Sequence, residues 1–421
     1  MKWLLTVLMC VTSSFCFAAD TRSASTSALS GRIVDSSGNP VAHATVIVYY
    51  AGVKVGYSTY CPSCYRDCGK RVITDKSGDF SIQGLAPDLW FKLLAAHDGY
   101  VPTISDKFDP AKAAGLKITL ASRPAPSGKD SIAKGRVTDS GGTPIQDAIV
   151  QPLGLILGDS STYGTIKGLD PLAVTNAKGE FELSYLGSSP EMLVKVEGRG
   201  YAPRVTKLTT GTNRTTLVVS EGATIRGILT ANGKPIGNAE VGLFTKDWGM
   251  YGDKLTVYGD PYDEQRVGTA PDGSFLISNV PEPVTWLLYG KMSSMPKGEG
   301  TQPVEIRTSQ EGQYLDKVRL AAEPSHIVTG KVSLSDGHPM PEGMRVIFSS
   351  PTIWDSQTVM LSKDGVFEIN NVPDGDFCIA TSVKGYETKS VPNSSCAVPV
   401  KVAGEDRRDL SVTIYPIKPR S

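Results

Sequence analysis

The feature that most constrains this chain is a stretch that it writes four times. In the first copy an opening segment, Leu29-Ser30-Gly31-Arg32-Ile33-Val34-Asp35, turns at Gly38-Asn39-Pro40 and returns through Ala44-Thr45-Val46-Ile47-Val48. A second half follows an insertion of variable length: Thr74-Asp75-Lys76-Ser77-Gly78-Asp79-Phe80-Ser81-Ile82, a polar turn closed by Gly and followed by apolar alternation. The opening glycine recurs as Gly135, Gly227 and Gly330, and the Gly-x-Pro turn recurs at Gly142, Gly233 and Gly337. The hairpin recurs as Gly179 to Leu183, Gly273 to Ile277 and Gly365 to Ile369, which aligns Phe80, Phe181, Phe275 and Phe367. The apolar residue five after each Phe is Leu85, Leu186, Val280 or Val372.

Leu29, Gly31 and Ile33 share one face of the opening segment, and Ser30 and Arg32 share the other. A period of two with one apolar face predicts a half-buried antiparallel strand. A repeat of roughly 100 residues is too long for a solenoid unit and long enough for each copy to own a core. The expected fold is therefore all-β: four tandem antiparallel β-sandwiches, each of about seven short strands. A barrel is the alternative for each unit, but it does not account for an open, variable loop at one fixed place. The expected organisation is a signal peptide at 1–19, a leader at 20–28, and sandwiches at 29–122, 132–220, 221–323 and 324–421. Arg123 to Ser131, rich in Pro, Ser and Gly, reads as a linker. Glu221-Gly222 leaves almost no slack between the second and third units. In the fourth copy the alternation after Gly337-His338-Pro339 slips by one residue, which predicts a bulge near Gly343.

Lys2, the apolar run Leu4 to Phe17 and the small-x-Ala pattern Cys16-Phe17-Ala18 form an export signal, with the mature chain expected to start at Ala19 or Asp20. The apolar run is short for a spanning helix, so no membrane insertion is expected once the signal is cleaved. The expected location is secreted, periplasmic or at the cell surface. The chain carries 43 basic and 43 acidic residues, an electrostatic balance that gives no footprint for nucleic acid. Five cysteines remain after the signal, in a compartment that permits disulfides. Cys378 and Cys396 flank an expected hairpin and are expected to pair. Two of Cys61, Cys64 and Cys68 are expected to pair locally.

The pattern Gly-Arg-Ile-Val-Asp-x-x-Gly-x-Pro-Val-x-x-Ala-x-Val, then Thr-Asp-x-x-Gly-x-Phe-x-Ile, then Gly99-Tyr100, resembles the carboxypeptidase regulatory-like domain. The resemblance is strong in the first two copies, good in the third and looser in the fourth. It implies a small transthyretin-like sandwich with a carbohydrate-binding-like fold, used for folding, spacing or adhesion beside peptidases, receptors and surface proteins. Fold-level likeness assigns no site.

The catalytic machinery of that family's peptidases is missing from the sequence. Zinc there needs two His and a Glu, and neither His-x-x-Glu nor His-Glu-x-x-His occurs among His43, His97, His326 and His338. The closing strands Leu116 to Leu120 and Leu410 to Ile414 lack the Asn with which some surface sandwiches cross-link a Lys. No nucleophile elbow, P-loop or dinucleotide fingerprint is present. The expectation is a non-enzymatic protein with no cofactor, no catalytic residue and no metal. For the Cys61, Cys64 and Cys68 cluster, zinc would need His97 or His43 as fourth ligand, and a loop staple is the plainer reading. The third unit's long insertion holds Trp248, Tyr251, Tyr258 and Tyr262 among glycines and acidic residues, without a strand or helix period. Rings in such a loop suit stacking on a sugar or clasping a peptide, so a glycan or a cell-wall or surface protein is the expected partner class. The competing expectation is that these rings fold back over the sandwich edge.

Overall fold

The opening strand of every copy lies inside a sheet, between the strand that follows the polar hairpin and the strand that closes the unit. The computed structural model describes residues 27–417 other than 62, 114, 127, 129–130, 158–159, 190, 212–213, 247–264, 354 and 390–395. Within them the chain forms eight sheets in four pairs, with no α-helix. In the first unit Ser27–Asp35 lies between Asp79–Leu85 and Leu116–Leu120, and Arg71–Ile73, Thr45–Val53, Leu89–Ala96 and Thr103–Ile104 form the facing sheet. The other opening strands are Ile132–Thr138, Ala223–Ala231 and His326–Leu334, each followed by the same two-sheet plan. Each sandwich encloses its own apolar core.

One feature departs from wholly antiparallel sheets. The closing strands Leu116–Leu120, Arg214–Val218, Tyr314–Pro324 and Arg407–Pro416 run parallel to their opening strands. Each arrives from the facing sheet, so it enters by a crossover between layers rather than through a hairpin, and a crossover permits the parallel sense.

The repeated glycine and phenylalanine meet across the strands. Gly31 pairs with Phe80, Gly135 with Phe181, Gly227 with Phe275 and Gly330 with Phe367. All four rings are buried. A Cβ on the glycine would stand 2.4, 2.4, 2.3 or 2.7 Å from the ring's Cζ, and 2.4 to 2.8 Å from a backbone oxygen of the closing strand. Only a residue without a side chain lets the ring lie flat over the opening strand while the closing strand pairs on its other edge.

A buried threonine ties the turn after Gly-x-Pro to the hairpin in three of the units. Thr74 Oγ1 donates to Val41 O at 2.8 Å and accepts from Ala44 N–H at 2.8 Å. Thr175 does the same with Ile145 O and Ala148 N–H, and Thr269 with Ile236 O and Ala239 N–H. The fourth unit has Leu361 there and keeps only the backbone bond to Met344 O. One copy departs from the pattern, and one expectation changes. Leu186 is 47% exposed, unlike Leu85, Val280 and Val372, because the second unit gives the position to a bridge between Leu169 and Tyr185. The irregularity near Gly343 is an added turn residue rather than a strand bulge: Arg345–Ser349 pairs without a register shift, and Gly343 takes the left-handed position held by His43, Asp147 and Asn238.

Phe275→Ala should destabilise the third sandwich by about 3–5 kcal/mol. Thr175→Val, which leaves a buried N–H and C=O unpaired, should cost the second about 1–3 kcal/mol. Urea titration of each variant measures both, and a Thr175→Val protein as stable as the parent would mean that the threonine bonds are dispensable.

Candidate functional site

The polar side chains that the cores reject are used where sandwiches meet. In the first, third and fourth units the strand after the hairpin shifts register against its opening strand near its end, whereas in the second the pairing is continuous. The bulge residue, four after the Phe, has positive φ as Gly84, Asn279 and Asn371. In the third unit this Asn binds the connector to the preceding sandwich, and in the fourth it reaches across to the neighbouring one. Asn279 Nδ2 donates to Glu221 O at 2.9 Å, in the Glu221-Gly222 connector. Ser220 Oγ donates to Glu282 at 2.6 Å, and Glu221 N–H donates to Glu311 at 3.0 Å, so the short connector is bonded to the third sandwich at several points.

Asn371 is buried and spends its whole amide on the third sandwich. Its Nδ2 donates to Met292 O at 3.2 Å and Met295 O at 2.9 Å, and its Oδ1 accepts from Gly298 N–H at 2.9 Å. Met292 N–H donates to the buried Asp355 at 3.0 Å, while the Met292 side chain joins the core of the fourth sandwich. The two units therefore share an apolar contact flanked by the hydrogen bonds of Asn371 and of the Met292 N–H.

The Pro-, Ser- and Gly-rich stretch does not hold the first two sandwiches apart. Leu94, Ile149 and Leu172 form a small buried cluster between them, flanked by Tyr49, Ile104 and Val174. Burial pushes the Tyr49 phenol up to about 12, with Glu197 adding to the effect. Beside the cluster lies a cleft of about 550 Å³, bordered by His43, His97, Arg71, Arg123, Asp147 and Arg214. Its charges are compensated: Arg71 pairs with Asp147 at 3.3 Å, Arg123 with Asp170 at 3.4 Å, and Arg214 with Glu180. Burial raises the Asp147 and Asp170 carboxyls above the usual range, against the pull of Arg71 and, for Asp170, of the Ser184 N–H and Arg123. The cleft offers neither a nucleophile held by a base nor an excess of one charge.

The cysteine loop of the first unit is stapled. Cys61 and Cys64 form a disulfide with Cα atoms 5.0 Å apart, and Cys378 and Cys396 form another at 5.5 Å. Cys68, 2% exposed, belongs to the first core, and burial pushes its thiol up to about 11. The base of the loop is anchored by Asp67, which accepts from Lys70 Nζ at 2.6 Å and Ala86 N–H at 3.0 Å. Among the described residues no group of three or more His, Cys, Asp or Glu is placed to hold a metal ion. No helix among them is long and apolar enough to cross a membrane. Trp248, Tyr251, Tyr258 and Tyr262 lie outside the described residues.

The roles of the junction asparagines and the core threonines do not follow from strand periodicity. Their signal is positional: Asn stands directly before the apolar Val280 and Val372, and Thr directly before three of the four hairpin turns. Residues 28–121 match the carboxypeptidase regulatory-like domain. This regulatory-like domain supplies the strand plan that the later sandwiches repeat. No curated protein matches the chain. Among solved structures, the TIE protein of Bacillus anthracis is similar at 11% identity, over 95% of this chain and 76% of that one, with a TM-score of 0.19. A streptococcal ancillary pilin is similar at 12% identity over 69% of this chain and 100% of its own, TM-score 0.23. The major pilin subunit BcpA of Bacillus cereus is similar at 12% identity over 72% of this chain and 100% of its own, TM-score 0.19.

A buried thiol of raised pKa is a poor nucleophile. Cys68 should therefore resist a maleimide in the native protein and react once the regulatory-like domain is unfolded, while non-reducing peptide maps return the Cys61–Cys64 and Cys378–Cys396 links. Rapid native labelling of Cys68, or a mapped link to it, would contradict this assignment.

Proposed function

We propose that this chain is an exported, non-enzymatic protein whose four sandwiches form one stiff body that spaces or presents binding surfaces at a cell surface or in a periplasm. The observation that carries the reading is Asn371. A buried amide whose bonds all cross to the neighbouring sandwich contributes nothing to catalysis and much to a fixed angle between units. The export signal, the charge balance and the lack of recognisable catalytic motifs in the sequence support the same reading.

A second reading, adhesion to glycans or to a cell-wall or surface protein, is favoured by the composition of the segment between Glu240–Thr245 and Gln265–Gly268, which holds Trp248, Tyr251, Tyr258 and Tyr262. Titration with soluble oligosaccharides and cell-wall fragments, followed by Trp fluorescence with Trp248→Ala as control, tests it. Absence of binding to every ligand removes this reading and leaves the spacer.

Spin labels on the exposed Lys234 and Lys363, introduced through keto amino acids so that the native cysteines stay intact, measure the angle between the third and fourth units. The parent should give one narrow distance distribution, and Asn371→Ala should broaden it with both sandwiches still folded. A parent distribution as broad as that of a flexible tether would overturn the proposal.

A further inference from the structure

The stapled loop of the regulatory-like domain touches two other sandwiches. Towards the second, the Arg199 side chain covers Gly69, where an added Cβ would meet its Cδ at 3.0 Å. Towards the third, Ser58 O accepts a hydrogen bond from Gly268 N–H, on Gln265–Gly268 at the edge of its sheet. A Cβ on Gly268 would lie 2.7 Å from Tyr57 Cβ and 2.8 Å from Tyr57 O, so the two backbones meet where only glycine fits. Gly56 faces Asn238 of the same sandwich in the same manner, at 2.9 Å from its Oδ1.

The disulfide lies at the head of the chain of contacts that sets this edge. Tyr60 and Tyr65 flank the Cys61–Cys64 bridge, and their rings meet edge to face with centroids 5.5 Å apart. Ser58 Oγ donates to Tyr60 O at 2.6 Å and takes the Tyr65 hydroxyl hydrogen bond. The residue fixed by these two bonds is the one whose carbonyl receives Gly268 N–H. The bridge closes the turn, the turn pairs the tyrosines, the tyrosines hold Ser58, and Ser58 caps a sheet edge that would otherwise present an open N–H.

We propose that the Cys61–Cys64 loop is a redox-sensitive clasp that locks the first sandwich to the third, closed in an oxidising compartment and released by a dithiol. In release, one dithiol gives two electrons and two protons to the Cys61–Cys64 bond. Two protein thiols form and the dithiol closes to its own cyclic disulfide. Without the bridge the segment between Tyr60 and Tyr65 regains chain entropy, and the Ser58 cap loses its support. The clasp rests on the one-body reading above, and it adds a switch that the reading does not require.

The test uses the full chain with Cys378→Ala and Cys396→Ala, so that Cys61–Cys64 is the remaining disulfide, and labels on the exposed Lys76 and Lys234 through keto amino acids. Three conditions are compared: oxidised, reduced with dithiothreitol, and Cys61→Ser/Cys64→Ser. Hydrogen exchange of the peptide containing Gly268 is followed in parallel. The proposal expects a narrow first-to-third distance when oxidised, a broader and longer one in the other two conditions, and exchange at Gly268 faster by about tenfold or more. Gly268→Ala should open the clasp without touching a cysteine. Should the oxidised distance be narrow and stay so on reduction and in Gly268→Ala, the clasp is wrong and the stiff body stands. Should it be broad when oxidised, the one-body reading fails along with the clasp.

Discussion

A phenylalanine ring lying across a glycine, four times over, is the interaction on which the remaining structure depends. The ring fills the space above the opening strand that a side chain would occupy, and its bulk seals the inner face of that sheet against its partner. The missing Cβ also lets the closing strand pair in parallel on the other edge, with its carbonyl close over the same glycine. Each sandwich is thereby fixed at the register Gly31–Phe80, Gly135–Phe181, Gly227–Phe275 or Gly330–Phe367. Because side chains alternate, one residue of slip would turn the ring to solvent and the polar neighbours inward.

The same register decides where the sandwiches can be joined. In the first, third and fourth units the strand bulges four residues beyond the ring, and a residue in the left-handed region is presented at the end of the sheet. Glycine there, as in the first unit, makes no bond with a side chain of its own. Asparagine tolerates the conformation and carries two donors and an acceptor, so in the third and fourth units the bulge becomes a connector. Polar contacts of this kind are strong when every partner is satisfied and costly when one is missing. They favour one angle between neighbours over the many that a bare tether allows.

Much of the fold was legible because period two is a local signal. Phe80, Phe181, Phe275 and Phe367 follow a Gly turn and begin an alternating run, and a strand pattern places them inside without reference to the remainder of the chain. What the sequence left open has tertiary causes. Leu186 carries the right spacing but yields its position to the Leu169–Tyr185 bridge, which lies outside the repeat. His43 looked available as a ligand, yet it occupies a left-handed turn position that Asp147, Asn238 and Gly343 share, visible only when the four copies are superposed. Three cysteines spaced as Cys61, Cys64 and Cys68 allow more than one pairing, and burial of Cys68 in the core separates them. Asn279 and Asn371 read as ordinary turn residues because their partners, the connector at Glu221 and the Met292–Gly298 segment of the neighbouring sandwich, are remote in sequence.

A double-mutant cycle on Gly135 and Phe181 tests the central claim most directly. This pair suits the purpose because the closing strand's oxygen, at 2.8 Å from the added Cβ, is the least crowded of the four. Gly135→Ala alone should destabilise the second sandwich by about 1–3 kcal/mol through overpacking against the ring. In the Phe181→Leu background, where the ring is gone, the same substitution should cost less by at least about 1 kcal/mol. Equal costs of Gly135→Ala in the two backgrounds would mean that glycine and ring do not constrain one another, and the account of the fold would be wrong.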